Sequence, residues 1–131
     1  MNEFEFEQII IKVFEDAGWQ VRIPKPFQME NYKQICPDLE ILYNDKSYGY
    51  VEVKRNLNPD KMLEKINQWK TILTELKPLL FIITDGIEYH VSIRGKEFEL
   101  LHFVPGPLSY YAIVGLVEEW VEFLNKKEES I

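Results

Sequence analysis

The chain has almost nothing to cross-link it. Its single cysteine, Cys36, cannot close an intramolecular disulfide and cannot alone build a thiolate zinc site. That excludes the small disulfide-stapled secreted class and makes a reducing, cytoplasmic location the expectation. Long apolar runs are missing too, with no stretch near the ~18 uncharged apolar residues of a membrane span. No glycine-rich phosphate loop occurs. The first 16 residues carry five acids, the opposite of a basic secretory start. Positive charge is scarce, with 15 Lys and Arg against 22 Asp and Glu for a net charge of −7. That balance argues against strong unaided binding to a polyanion.

What is present suits one folded domain over residues 1–131. The sequence is 46% hydrophobic and 14% aromatic, enough for a real core. Its charge is unevenly spread. Residues 1–21 hold five acids and one base, and residues 78–131 hold nine acids and four bases. Residues 22–77 hold ten bases and eight acids, so binding a cation to two or three of those acids would leave the segment distinctly positive.

Periodicity places the elements. Phe6, Ile9, Ile10, Val13, Phe14 and Ala17 follow the 3.6-residue period, and Gly18 is a natural stop. Residues 19–23 alternate as a short strand ended by Pro24 and Pro26, and the polar stretch through Lys33 reads as loop. Leu39–Tyr43 and Tyr48–Lys54 form an expected hairpin around a four-residue turn, Asn44 to Ser47. Asn58-Pro59 reads as helix cap and first turn. Met62, Leu63, Ile66, Trp69, Leu73 and Leu76 then form an apolar stripe closed by Pro78. Leu79–Thr84 is a continuous apolar strand with both faces covered, and Asp85-Gly86 is a turn. Residues 87–93 and 98–103 are two more strands around Gly95, and a third helix spans about 109–125. The result is α/β: an α-β-β-β-α-β core, a mixed sheet flanked by helices, with an added β-hairpin and a C-terminal helix.

The chemistry gathers on the first hairpin. Side chains alternate along a strand, so Glu52 and Lys54 share one face while Val51 and Val53 take the other. Asp38, just after Pro37, can approach from the neighbouring strand. Phosphodiester hydrolysis requires neutralised phosphate charge, hydroxide near neutral pH and a stabilised leaving oxygen. Magnesium or manganese held by one or two carboxylates and water supplies all three, and the Val53 carbonyl offers one more oxygen. Lys54 could then orient the attacking water or steady the developing charge. The spacing alone proves little, because Glu75-Leu76-Lys77 repeats it at a helix end. A solvated cross-strand ion pair is the plain alternative.

In combination these residues resemble the PD-(D/E)xK nuclease superfamily, the restriction-endonuclease-like fold. Pro37-Asp38 is similar to its first half-motif and Glu52-Val53-Lys54 to its second. Glu7, eleven residues before Gly18-Trp19, resembles the acidic residue that helps order the metal site in restriction enzymes of the superfamily. Gln68, fourteen residues after Lys54, resembles a glutamine that faces the active site in many members, although Ile72 stands where an aromatic often follows. Phe81 to Gly86, with Arg55, look like the N-terminal nuclease domain of type I restriction R subunits. The resemblance covers roughly residues 4–95. It implies a Mg2+- or Mn2+-dependent deoxyribonuclease, with Asp38, Glu52 and Glu7 at the metal and Lys54 and Gln68 in support. The R-subunit nuclease precedes a motor domain, whereas this sequence closes on a helix and an acidic tail. A partner protein or a homodimer is therefore expected to deliver it to DNA, with restriction or defence as the setting the resemblance implies. The competing reading is a catalytically silent nuclease-fold module acting through a partner.

Other candidates read as structural. His90 and His102 lie in strands without a catalytic pattern, and Trp19, Trp69 and Trp120 lie on apolar stripes. Tyr32, Tyr48 and Tyr50 are the better candidates for substrate contact. Tyr110, Tyr111, Trp120 and Phe123 nearly surround the third helix, which would suit a dimer surface.

Overall fold

A computed structural model describes residues 2–28, 34–54, 59–85, 88–94 and 99–102, with 112, 114–115, 117–122 and 125–126 of a C-terminal helix. Arg55, Asn58, Gly86, Gly95, Tyr32, Tyr110, Tyr111 and Phe123 lie outside the described residues. The elements are α1 (Glu3–Asp16), β1 (Gln20–Arg22), β2 (Phe27–Gln28), β3 (Gln34–Ile35), β4 (Leu39–Tyr43), β5 (Lys46–Val53), α2 (Pro59–Leu76), β6 (Leu80–Thr84), β7 (Glu88–Ile93) and β8 (Glu99–His102). Six strands form one mixed sheet in the order β1-β4-β5-β6-β7-β8. Among the described strands only β5 and β6 run parallel, and α2 makes the crossover between them. The α-β-β-β-α-β core is therefore α1, β1, β4, β5, α2 and β6.

Local chemistry explains the boundaries. Asn2 caps α1 by accepting the Glu5 N–H at 2.8 Å. The helix stops at Gly18, whose φ of +92° suits glycine. Pro59 opens α2, where a missing N–H does no harm. Lys77 closes it in the left-handed region, so Glu75-Leu76-Lys77 is a helix end and not a second site.

The hairpin turn is tighter than expected. Asn44 and Asp45 both have positive φ, and Tyr43 pairs directly with Lys46, giving a two-residue primed turn instead of four residues. A bulge follows, because Ile41 pairs with Gly49 while Leu42 pairs with Ser47. It breaks the alternation at the start of β5. Tyr48 joins one core and Tyr50 the other, and regular alternation resumes from Tyr50. Gly49 is required here, since a Cβ would stand 1.9 Å from the Leu80 carbonyl oxygen. The segment expected as loop also contains structure, a short antiparallel ladder of β2 and β3.

Two cores sandwich the sheet. On one face Phe6, Ile10, Val13 and Phe14 of α1 meet Leu39, Ile41, Val51, Val53 and Ile82, together with Val114, Val117 and Val121 of the C-terminal helix. Trp120 packs against this core. On the other face Met62, Ile66 and Trp69 of α2 cover Phe81 and Ile83, with the Trp69 and Phe81 rings 4.8 Å apart. Leu63 departs from the expected stripe and is 55% exposed. Every residue of β6 is buried, as its uninterrupted apolar run implied. Among the described residues, no helix is long and apolar enough to cross a membrane.

Candidate active site

The register of β4 and β5 creates the site. Leu39 pairs with Val51, so Asp38 and Glu52 fall opposite each other where the hairpin ends. Two hydrogen bonds clasp them reciprocally. The Val53 N–H donates to Asp38 Oδ2 at 2.8 Å, and the Asp38 N–H donates to Glu52 Oε1 at 3.2 Å. Each carboxylate is held through one oxygen, and the two are close enough for Asp38 to act on the Glu52 carboxyl.

Lys54 extends the β5–β6 ladder by one step, its N–H donating to the Thr84 carbonyl at 2.8 Å. Alternation therefore holds its side chain on the Glu52 face. The ammonium lies 3.9 Å from Glu52 Oε2 and 3.9 Å from Glu3 Oε1. These are loose contacts, so the lysine stands at the acids without being locked to either.

Glu52 is only 5% exposed and its carboxyl is pushed up to about 8. Burial is the main cause, followed by the hydrogen bond and charge of Asp38, with Lys54 opposing. Two ionised carboxylates brought together away from solvent repel each other. Such a pair holds a proton or a cation between its members. Glu7 on α1 is also raised, first by burial, then by Asp38 and by Glu3 one helical turn away, with Lys54 opposing. The helix thus turns an acidic edge toward the pair.

Hard, anionic, crowded oxygens suit Mg2+ or Mn2+, which relieve the repulsion and prefer one or two carboxylates with water. Asp38 and Glu52 are the pair that could hold the ion. Among the described residues no three His, Cys, Asp or Glu side chains converge as a cage. Glu7 feels the charges of Asp38 and Lys54 from α1. The structure therefore brings together Asp38, Glu52, Val53 and Lys54, with Glu7 behind them. It does not bring in Gln68, which is exposed on α2 and makes no hydrogen bond to the acids.

Glu3 was not singled out in the sequence. Its place four residues before Glu7 on one helix face was the available signal. Also unforeseen was a second buried glutamate, Glu40, two residues along β4 from Asp38. Glu40 accepts from Arg22 Nε at 2.6 Å and from Ser47 Oγ at 2.6 Å. Burial opposes its ionisation, but these donors outweigh burial and hold the carboxyl below its ordinary value. His90, whose Nε2 lies 3.1 Å from Glu88 Oε2, is apart from this centre, and Trp19 and Trp69 are core residues.

No protein-family model and no curated protein matches the chain. Solved structures do. A cryo-EM structure of a DrdV–DNA complex superposes with a TM-score of 0.57 at 20% identity, over 90% of this chain. This chain shares the fold of the matched part of that structure. The match spans only 11% of the DrdV chain, so this protein corresponds to about a tenth of that one. A DUF820 protein from Anabaena variabilis also matches, with a TM-score of 0.47 at 14% identity over 84% of this chain and 72% of that one.

Proposed function

We propose that the protein is a metal-dependent nuclease that hydrolyses phosphodiester bonds of DNA at Asp38, Glu52 and Lys54. The observation that carries this reading is the reciprocal clasp of Asp38 and Glu52. It immobilises two crowded carboxylates with Lys54 beside them, an arrangement that costs stability unless a cation compensates it. Restriction-endonuclease-like architecture supports the same chemistry. A bound Mg2+ or Mn2+ would polarise the phosphoryl oxygen and lower the pKa of a bound water.

The chain's own groups have separable tasks. Asp38 and Glu52 hold position through hydrogen bonds from backbone N–H groups to one oxygen each, and their carboxylates would hold the cation. The Val53 carbonyl offers a neutral oxygen nearby. Lys54 donates to the attacking water or to the phosphate oxygens, steadying charge as the leaving oxygen departs. Glu7 and Glu3 strengthen the negative field that draws the cation in. With a net charge of −7, targeting falls to a partner protein or a second copy.

The test is a cleavage assay on supercoiled and linear DNA with Mg2+ or Mn2+. Wild type should nick or degrade DNA, and Asp38→Ala and Lys54→Ala should not. Equal activity of wild type and Asp38→Ala would sink the assignment. A folded wild type with neither cation binding nor cleavage would favour the silent module.

A further inference from the structure

A pocket of about 410 Å3 opens beside the acids, lined by Arg22, Ile23, Pro24, Lys25, Glu40 and Tyr50. It shares their face of the sheet. Glu40 lies two residues from Asp38 on β4, and Tyr50 lies two residues from Glu52 on β5. Two residues of strand span ~6.6 Å, comparable with the separation of successive phosphates along a nucleic-acid strand. Cys36 lies between pocket and acids, its thiol within reach of the Pro24 carbonyl at 3.2 Å and of the Pro37 carbonyl, next to Asp38, at 3.4 Å.

The pocket's cations are arranged to face outward. Arg22 is cross-strand from Glu40 and meets it through Nε alone, while Ser47 takes the other Glu40 oxygen. The guanidinium is thereby anchored through one nitrogen, and the side chain is 61% exposed. Lys25 is exposed and forms no ion pair among the described residues. Ile23, 77% exposed, adds an apolar wall where a sugar or base face can rest. A guanidinium held from behind by a buried carboxylate, with a lysine beside it, is suited to a phosphate diester. A simple structural ion pair would need neither the open pocket nor Lys25.

We propose that this pocket is a flanking phosphate subsite, in which Arg22 and Lys25 grip the DNA backbone next to the phosphate attacked at Asp38 and Glu52. The proposal rests on the nuclease reading for the identity of its ligand. Glu40 and Ser47 are positioning residues acting through Arg22.

The test is binding of a fluorescein-labelled DNA duplex in Ca2+, followed by anisotropy across a salt series, with cleavage in Mg2+ measured separately. Lys25→Ala and Arg22→Ala should each weaken binding about tenfold. Each should lower the slope of log affinity against log salt by about 1. Arg22→Lys keeps charge against Glu40 but loses the fork, and should fall between wild type and Arg22→Ala. In cleavage, the loss should appear in KM more than in kcat. Unchanged affinity and slope in Lys25→Ala and in folded Arg22→Ala would overturn the subsite while leaving the nuclease intact. A wild type without affinity for the duplex at low salt would overturn it too. Binding that responds to these variants, without cleavage in Mg2+, would uphold the subsite and remove the nuclease reading.

Discussion

Two glutamates on adjacent strands, Glu40 and Glu52, are 6% and 5% exposed, yet their surroundings differ in kind. Glu40 is met by a guanidinium and a hydroxyl, and its carboxyl is held low despite burial. Glu52 is met by a second carboxylate and a lysine 3.9 Å away, and its carboxyl is pushed up to about 8. Burial raises both carboxyls and is the main cause at Glu52, where Asp38 adds to it and Lys54 opposes; at Glu40 the donors Arg22 and Ser47 outweigh it. Glu40 is satisfied within the chain. Glu52 is not, which makes it the candidate functional carboxylate of the two.

Substitution should separate them most sharply. Glu52→Gln is expected to reduce cleavage by at least ~100-fold, more than the loss typical of changes one shell further from a metal. In the same variant the metal-free protein should melt no lower than wild type at pH 8, because a repelling charge has gone. Glu40→Gln should do the reverse. It should lower stability by about 1–2 kcal/mol, a figure discounted for the exposure of Arg22, and leave residual cleavage at saturating DNA. Thermal melts and cleavage rates on both variants check the contrast, and similar behaviour of the two would break it.

Titration should tell them apart next. Glu52 has a raised carboxyl, so the unfolded chain releases its proton near 4.5 while the folded chain keeps it to about 8. Its contribution is fully present below 4.5 and is lost as pH rises to about 8. Glu40 is held low, so its contribution is present above 4.5 and lost as pH falls through its folded value. Denaturant melts of metal-free protein should show the Glu52 loss between pH 4.5 and about 8 in wild type and not in Glu52→Gln. Saturating Mg2+ should flatten it.

The smallest effects are expected on the helices. Glu3→Gln should weaken metal affinity a few-fold, about what one partly screened charge contributes. Gln68→Ala should change cleavage less than about twofold, since exposed substitutions away from contacts stay near neutral. A large Gln68 effect would place α2 closer to the substrate than its exposed position implies.

Much of this contrast was legible in the sequence, though unequally. Glu52 and Lys54 could be read from alternation because β5 is regular from Tyr50 onward. Gly18, Pro59 and Pro78 marked helix ends through backbone constraints that act locally. The tight turn at Asn44-Asp45 and the bulge beside Gly49 were missed, since both depend on which residues pair across the hairpin. The β2–β3 ladder has two residues per strand, too few to show a period. Leu63 looked like core because helical periodicity gives an angle and not the width of the buried stripe. Arg22 and Glu40 are eighteen residues apart, and only the β1–β4 register joins them. Glu52 was recognisable by its neighbours in sequence, whereas Glu40 was recognisable only by its neighbours in space.

The most direct measurement is a calorimetric titration of Mn2+ into metal-free wild type and Glu52→Gln at pH 7, in buffers of different ionisation heat. Because the Glu52 carboxyl lies at about 8, wild type should bind Mn2+ and release close to one proton, and Glu52→Gln should lose both signals. Absence of binding by folded wild type, or binding by both proteins with no proton released, would contradict a metal centre at Asp38 and Glu52.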